Sequence, residues 1–263
     1  MTRLQTTSAA MSLKKIPVIV LLTIGYKLML SSPNPPPPDH EIVPSTSIDV
    51  IRLRKYRHTL GHVRLQINTP FPLINKYQVF QTLAATAEVV AILANISPQS
   101  KLSQAALSIC VRQGIAASKL RMTPLSSLGA VLWVCGAALR LRTFRELGRF
   151  FRFEISIQEN HKLIVAGPYA YVRHPAYTGM LLANVGWFLW NGASGSWVRE
   201  CGFFASPGSK LCLAVYAVIA ILSTSAIPFS RMSKEDEVLK KKFGSQWDDW
   251  AKRVPYSVIP GVY

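Results

Sequence analysis

Long apolar stretches separated by short basic segments are the feature of this sequence that most restricts its fold. Residues 77–96 supply the roughly 20 residues that a helix needs to cross a bilayer, and Glu88 is the only charged residue among them. Residues 105–117, interrupted by Arg112, fit either a short helix or a poorly hydrophobic span, and further apolar runs occupy residues 16–30, 125–141, 177–190 and 211–229. The pattern predicts an all-α, polytopic integral membrane protein with about five or six transmembrane helices. Because an acid at membrane depth usually faces protein, we expect Glu88 to lie inside the helix bundle.

The charge balance supports a membrane protein over a nucleic-acid-binding one. The chain is 49% hydrophobic and only 16% charged, and its net charge is +17. Basic residues mostly flank the apolar runs, as do Arg140, Arg142, Arg145, Arg149 and Arg152. Since this arrangement is typical of cytoplasmic loops that face anionic lipid, we expect membrane lipid as a partner and no nucleic acid.

Composition divides the chain into three regions. Residues 1–44 contain a first helix and a proline-rich spacer, and we interpret the helix as retained because no small-residue cleavage site follows it. Residues 45–150 contain membrane helices with basic loops, and residues 151–263 contain most of the polar motifs. The cysteines have no metal-type spacing, so we expect them to pack in the protein without a metal or disulfides; they are Cys110, Cys135, Cys201 and Cys212.

The first polar motif, GPYAYVRHPAYTG, occupies residues 167–179. Gly167 and Pro168 predict a turn, and Pro175 suits the first position of a helix, where its missing N–H would be unpaired in any case. His174 then lies at a helix N-terminus, where free N–H groups attract a ligand carboxylate. The same residues also fit an interfacial anchor, with Arg173 reaching lipid headgroups beside an aromatic belt of Tyr169, Tyr171 and Tyr177.

The second polar motif, RMSKEDEVLKKKFGSQWDDW, has helical spacing up to Gly244. Arg231 and Glu235 are four residues apart and therefore share a helix face. Arg231 follows the last apolar residue of the 211–229 run by two positions, which places it near membrane depth. A guanidinium there needs a partner or a function, and Glu235 offers the partner.

Together these two blocks resemble the isoprenylcysteine carboxyl methyltransferases, which are integral membrane enzymes of the endoplasmic reticulum. The resemblance rests on HKLIVAGPYAYVRHPAYTG followed, one span later, by RMSKEDEVLKKKFGSQWDDW with VP and IP dipeptides, and it covers about residues 154–263. The proline-rich PNPPPP after a short first helix resembles fungal members. The resemblance implies a multi-pass endoplasmic reticulum protein whose residues 151–263 form a methyltransferase core. Its implied reaction is methyl esterification, by S-adenosylmethionine, of the prenylated C-terminal cysteine carboxylate of CaaX-type proteins.

The resemblance also implies the site residues. Arg231 matches the arginine assigned to the substrate carboxylate, so Arg231 and Glu235 are the expected catalytic residues. The expected S-adenosylmethionine site consists of Glu154, His161, Lys162, Leu163, Ile164, Tyr169, His174, Pro175, Ala176, Tyr177 and Glu235. Three positions depart from the family pattern: Glu154 replaces a glutamine of some members, Ala176 a common serine, and Asp236 the second acid of a Glu-Glu pair.

The implied reaction needs positioning more than acid–base catalysis. A terminal carboxylate has an ordinary pKa of roughly 3.3 to 3.7 and is already ionised at neutral pH, so no general base has to generate the nucleophile. Three alternatives remain open from the sequence. They are a phospholipid N-methyltransferase, an NADPH-dependent sterol reductase with a similar RHPNY-like element, and a non-catalytic membrane scaffold.

Overall fold

The computed structural model describes residues 12–35, 37–43, 72–111, 117–200 and 227–262, with isolated positions between residues 208 and 218. The helices in these ranges are α1 (Lys15–Leu30), α2 (Pro72–Ala94), α3 (Lys101–Cys110), α4 (Pro124–Leu147), α5 (Pro175–Gly192), α6 (Trp197–Glu200), α7 (Ile227–Phe243) and α8 (Ser245–Arg253). Short 3-10 turns occur at Asp39–Glu41, Ala117–Lys119, Gly148–Phe150 and Gly167–Ala170. No strand is present in the described ranges, where a single antiparallel bridge joins Ile42 and Ser156. The predicted all-α class is confirmed for this part of the chain.

The helix positions follow the apolar runs closely, but the number of membrane spans stays a prediction. One helical stretch of the described residues, Pro124–Phe150, is long and apolar enough to cross a membrane, and Gln78–Ala94 is a shorter apolar helix. The ambiguous 105–117 run forms part of the short helix α3, although residues 112–116 lie outside the described residues. Most of the 211–229 run, Cys201 and Cys212 also lie outside them.

The chain divides into two compact units. Among the described residues, the first unit comprises 12–27, 75–111, 117–137, 181–200 and the isolated positions between 208 and 218, and the second comprises 28–35, 37–43, 72–74, 138–180 and 227–262. Each unit therefore combines segments that are distant in sequence.

A buried ion pair lies in the core of the first unit. Glu88 of α2 is 4% exposed, which confirms the prediction that it faces protein, and its carboxylate pairs with the fully buried ammonium of Lys15 from α1. Lys15 also donates to the Gly195 carbonyl oxygen at 2.7 Å, and the Trp197 backbone N–H donates to Glu88 at 3.2 Å. The ammonium lies 4.7 Å from the centre of the Trp190 ring. These contacts tie α1, α2 and the loop after α5 together.

Close backbone contact between α4 and α5 also organises the first unit. A Cβ atom on Gly186 would lie 2.5 Å from the Gly129 carbonyl oxygen and 2.5 Å from the Trp133 nitrogen, both of which are backbone atoms. Small residues at such a crossing let two membrane helices approach closely.

Gly186→Ala is therefore expected to lower the free energy of unfolding by about 2–3 kcal/mol, because backbone atoms cannot move aside locally as a flexible side chain can. Thermal unfolding in detergent measures the effect. Gly192→Ala is the matched control, since a Cβ atom at that position of the same helix meets nothing within 4 Å. Equal melting temperatures for the two variants would contradict the packing argument.

In the second unit, the C-terminal segment, residues 254–262, packs along the start of α5. The backbone N–H groups of Arg173 and His174 donate to the carbonyl oxygens of Tyr256 and Ser257 at 2.9 and 2.8 Å, and the Thr178 hydroxyl donates to the Val258 carbonyl oxygen at 2.6 Å. Helix α5 begins at Pro175, as predicted from the position of that proline.

The same unit holds an extended pairing between two distant segments. The Val43 N–H donates to the Ile155 carbonyl oxygen at 2.8 Å, and the Ile157 N–H donates to the Glu41 carbonyl oxygen at 3.2 Å. These bonds flank the bridge between Ile42 and Ser156 and fix the backbone of residues 155–157.

Candidate active site

The second unit contains a partly open cavity of about 220 Å³. Its walls come from the segment between α4 and α5, the first turns of α5, and one face of α7. An aromatic and aliphatic part of the wall includes Phe150, Phe151, Phe153, Met180, Val238 and Leu239. The charged part includes Arg140, Arg152, Lys162, Arg173, His174, Arg231, Glu154 and Glu235. Because cations outnumber carboxylates on this wall, the cavity suits a ligand that carries an anionic group.

The structure places the sequence-predicted site residues around this one cavity. All predicted cofactor residues except Pro175 line it, namely Glu154, His161, Lys162, Leu163, Ile164, Tyr169, His174, Ala176, Tyr177 and Glu235. Pro175 is fully buried as the first residue of α5. Arg231, the predicted substrate residue, also lines the cavity, so the two motifs share one site although some 50 residues separate them.

Glu235 is the centre of the polar contacts on the α7 side. Its Oε1 accepts a hydrogen bond of 2.6 Å from the Tyr177 hydroxyl and lies 3.7 Å from Nη2 of Arg231. Arg231 also donates from Nη2 to the Phe153 carbonyl oxygen at 2.7 Å. The i,i+4 spacing on α7 thus brings a guanidinium and a carboxylate to the cavity side by side, as the sequence predicts.

His174 lies between two carboxylates. Its Nδ1 is 3.4 Å from Oε2 of Glu235, and its Nε2 is 3.1 Å from Oδ1 of Asp236. Burial by itself lowers the pKa of His174, but the hydrogen bonds and charges of Asp236 and Glu235 outweigh it and raise the pKa to about 9. The imidazole is therefore protonated at neutral pH.

The pKa of Glu235 shifts in the opposite direction from that of His174. Burial by itself raises the pKa of the Glu235 carboxyl, but His174, then Arg231 and the Tyr177 hydroxyl, lower that pKa below its ordinary value. The site thus presents an ionised carboxylate held by an imidazolium, a guanidinium and a phenol.

His161, which also lines the cavity, is a neutral aromatic group at neutral pH. Burial, followed by the charge of Lys242, lowers the pKa of its imidazole. The ring stacks on Phe150 with 4.6 Å between ring centres.

Two cationic residues have surroundings that differ from the sequence-based prediction. Arg140 was expected on a lipid-facing basic surface, but it is 4% exposed and donates to the carbonyl oxygens of Met29 and Ala176 at 2.8 and 3.2 Å. Arg173, in the interfacial alternative, was expected at lipid headgroups. Instead it donates to the Val254 and Pro255 carbonyl oxygens and to the Ser257 hydroxyl. The anchor interpretation is therefore wrong for Arg173.

The tyrosines of the proposed aromatic belt also separate. Tyr169 is 8% exposed, and its backbone carbonyl oxygen accepts a hydrogen bond from the Trp250 indole, so it is a core residue of the second unit. Tyr177 lines the cavity, whereas Tyr171 is 73% exposed and remains available for an interface. The belt interpretation is wrong for Tyr169.

Several cavity residues were not found by sequence reasoning. Ser156 and Arg152 line the cavity, and the Ser156 hydroxyl and the Arg152 Nε are buried without a hydrogen-bond partner among the described residues. Neither residue belongs to a recognisable motif. Residues 149–153 form an aromatic and basic cluster next to Ser156, and this cluster could have indicated a cavity wall. The same cluster fits a loop that faces lipid equally well.

Together, the helical architecture and the cavity define a class: a helical protein whose cavity combines a guanidinium–carboxylate pair with tyrosine and imidazolium groups. Residues 128–193 match the model of the isoprenylcysteine carboxyl methyltransferase (ICMT) family. The chain is similar to this family over these residues, in agreement with the resemblance of its motifs.

Curated relatives show the same similarity. The chain is 32% identical to Protein-S-isoprenylcysteine O-methyltransferase B of Arabidopsis thaliana over 136 residues, which are 51% of this chain and 59% of that protein. It is 31% identical to Protein-S-isoprenylcysteine O-methyltransferase of Mus musculus over 146 residues, 54% of this chain and 44% of that protein. A match to a Delta(14)-sterol reductase of Mus musculus is 31% identical over 102 residues, 39% of this chain and 20% of that protein. The chain thus spans about half the length of the methyltransferases it matches.

Proposed function

We propose that this protein is a multi-pass enzyme of the endoplasmic reticulum membrane that methylates the C-terminal carboxylate of prenylated cysteine, with S-adenosylmethionine as the methyl donor. Arg231 and Tyr177 meet at Glu235 within one cavity, and this is the observation that carries the proposal. The proposed partners are prenylated protein C-termini and membrane lipid.

The described residues fit the proposed donor chemically. Tyrosine rings and the ionised Glu235 provide the electron-rich surroundings that a positively charged sulfur prefers. The unpartnered Ser156 hydroxyl and Arg152 Nε supply hydrogen-bonding atoms for a polar ligand. The volume of about 220 Å³ is below the roughly 300–1,000 Å³ of most small-molecule sites, so the open side must accommodate part of such a ligand.

When bound, S-adenosylmethionine supplies an electrophilic methyl group on a sulfonium. The chain's own contribution is then to hold an acceptor carboxylate in line with that group. Arg231 suits this task because a planar guanidinium makes two parallel hydrogen bonds to a carboxylate. Glu235 orients Arg231, and Tyr177 and His174 fix Glu235 in turn.

The apolar wall contributes by excluding water. Phe150, Phe151 and Phe153 line the cavity beside the charged groups. Methyl transfer from a sulfonium to a carboxylate cancels two opposite charges, so a site that water reaches poorly favours the less charged transition state. Proton transfer is not required, and accordingly we assign His174 to positioning.

Methylation of N-acetyl-S-farnesylcysteine by the purified, detergent-solubilised protein tests the proposal. Radiolabelled S-adenosylmethionine is expected to give a base-labile methyl ester, because the acceptor carries the carboxylate that Arg231 would bind. The same acceptor with a C-terminal carboxamide is the matched control and should remain unlabelled. A geranylgeranyl acceptor in parallel measures the preferred lipid length.

Two outcomes would contradict the proposal. Labelled phosphatidylethanolamine in place of the cysteine ester would indicate the phospholipid N-methyltransferase alternative. Binding of S-adenosylmethionine without transfer to either acceptor would show that the acceptor class is wrong. A sterol lacks the carboxylate for which Arg231 is suited, so the geometry does not favour a sterol reductase.

A further inference from the structure

Asp236 contacts the site without lining the cavity. It follows Glu235 on α7, and its side chain is 17% exposed. Its Oδ1 lies 3.1 Å from Nε2 of His174, and its Oδ2 lies 3.3 Å from Nε of Arg173. It therefore contacts two consecutive residues that lead into α5.

We propose that Asp236 is a positioning residue: it holds the His174 ring between two carboxylates and thereby fixes Glu235 for the ligand in the cavity. The inference deepens the proposed function and rests on it for the identity of the ligand. The contact itself is a property of the protein alone and can be tested without any ligand.

Helix geometry explains why an intermediary is needed. Consecutive residues on an α-helix point about 100° apart, so Glu235 and Asp236 cannot both face the cavity. His174 spans the two directions, with one ring nitrogen toward each carboxylate. Both nitrogens must carry hydrogen to donate in these directions, since a neutral imidazole has only one N–H. Removal of either carboxylate therefore weakens the preference for the imidazolium.

Arg173 anchors Asp236 from the other side. Besides its contact with Asp236, the guanidinium donates to the Val254 carbonyl oxygen at 3.1 Å, the Pro255 carbonyl oxygen at 2.7 Å and the Ser257 hydroxyl at 2.8 Å. A continuous series of polar contacts thus runs from the C-terminal segment through Arg173, Asp236 and His174 to Glu235. Asp236 therefore connects Arg173, which contacts the C-terminal segment, to His174, which contacts Glu235 at the cavity.

The groups that face His174 come from two elements of the described chain. Glu235 and Asp236 approach from α7, and Arg231 reaches it through Glu235. On its own side, Arg173 precedes it, and the Tyr177 ring lies 5.8 Å away between ring centres. The two carboxylates raise the pKa of His174 to about 9, in agreement with the geometry.

The pH dependence of stability in the ligand-free protein gives the first test. Because the pKa of folded His174 lies above its ordinary value, the stabilisation is complete below about pH 6.5 and is lost as the pH rises through about 9. In Asp236→Asn, the folded and unfolded pKa values come closer together, so the decrease in melting temperature between about pH 7 and 9.5 should shrink by more than about half. Asp249→Asn, at a carboxylate whose side chain is 70% exposed, is the control and should keep the wild-type profile.

Ligand binding gives the second test. The dissociation constant for S-adenosylmethionine at neutral pH is expected to rise about tenfold in Asp236→Asn, as for the loss of one charged hydrogen bond. If Asp236 acts through His174, Asp236→Asn should change affinity by less than about twofold in a His174→Gln background. Asp236→Glu keeps the charge and should restore most of the affinity.

The two tests separate the possible failures. An unchanged pH profile in Asp236→Asn, or effects of the two substitutions that multiply, would overturn the positioning role. If Asp236→Asn does not fold, the single His174→Gln variant decides, because persistence of the pH 7–9.5 decrease in that variant would equally overturn it. If the wild-type protein does not bind S-adenosylmethionine, the proposed function fails, while the pH profile still tests Asp236.

Discussion

Replacement of Arg231 by lysine is expected to lower kcat for methyl transfer about 100-fold or more, while the dissociation constant for S-adenosylmethionine changes by less than about threefold. Nη2 of Arg231 lies 3.7 Å from Oε1 of Glu235 and donates to the Phe153 carbonyl oxygen at 2.7 Å, so this end of the guanidinium is held at the cavity. A lysine ammonium keeps the charge but cannot form two parallel hydrogen bonds to a carboxylate. Steady-state turnover and ligand titration on the same preparation measure the two quantities.

Arg142→Lys is the matched control for this experiment. The Arg142 side chain is 61% exposed and pairs with Glu146, so the same chemical change should leave turnover near the wild-type value. Near-normal turnover in Arg231→Lys would contradict a carboxylate-binding role. A loss of S-adenosylmethionine affinity as large as the loss of turnover would instead assign Arg231 to the cofactor.

Replacement of Lys15 by methionine is expected to lower the free energy of unfolding by about 3–5 kcal/mol. The change removes the ammonium that pairs with Glu88 and leaves its buried carboxylate with the backbone N–H of Trp197 as a donor. An uncompensated buried charge is far more costly than the loss of an exposed ion pair. Thermal or denaturant unfolding in detergent measures the difference.

Lys14→Met is the control for Lys15→Met, because the neighbouring lysine is exposed. A double variant, Lys15→Met with Glu88→Leu, is expected to recover most of the lost stability, since replacing both members of a buried pair by apolar residues is often neutral. A double variant as unstable as Lys15→Met alone would show that the lysine stabilises the unit through Gly195 and Trp190 instead of through charge pairing.

Helix positions could be predicted from the sequence because they depend on local patterns. The apolar runs 16–30, 77–96, 125–141 and 177–190, the proline that begins α5 and the glycine between α7 and α8 mark elements of the described chain. Burial of the charged residues at the ends of those runs could not be predicted in the same way. Lys15 and Arg140 have the same local surroundings as ordinary flanking cations, and only partners distant in sequence distinguish them.

In the candidate site, too, contacts within one helix could be predicted from the sequence, whereas contacts between distant segments could not. Arg231 and Glu235 could be paired from their helical spacing, and the two motifs could be assigned to one site through a family resemblance. The role of Asp236 could not be predicted, because it depends on the position of the His174 ring between two side chains of a distant helix. Contacts to backbone acceptors such as the Phe153 carbonyl oxygen also could not be predicted, because every residue type has a carbonyl oxygen.

The hydrogen bonds from residues 41–43 to residues 155–157 bear on how shortened relatives should be interpreted. A splice form or alternative start that omitted the early segment would retain every motif residue and the whole 128–193 match, yet the Ile157 N–H and the Ile155 carbonyl oxygen would lose their partners. Such a form could keep all the motif residues and still lose the shape of the cavity, because residues 41–43 support the backbone of cavity residues 155–157 and belong to neither motif.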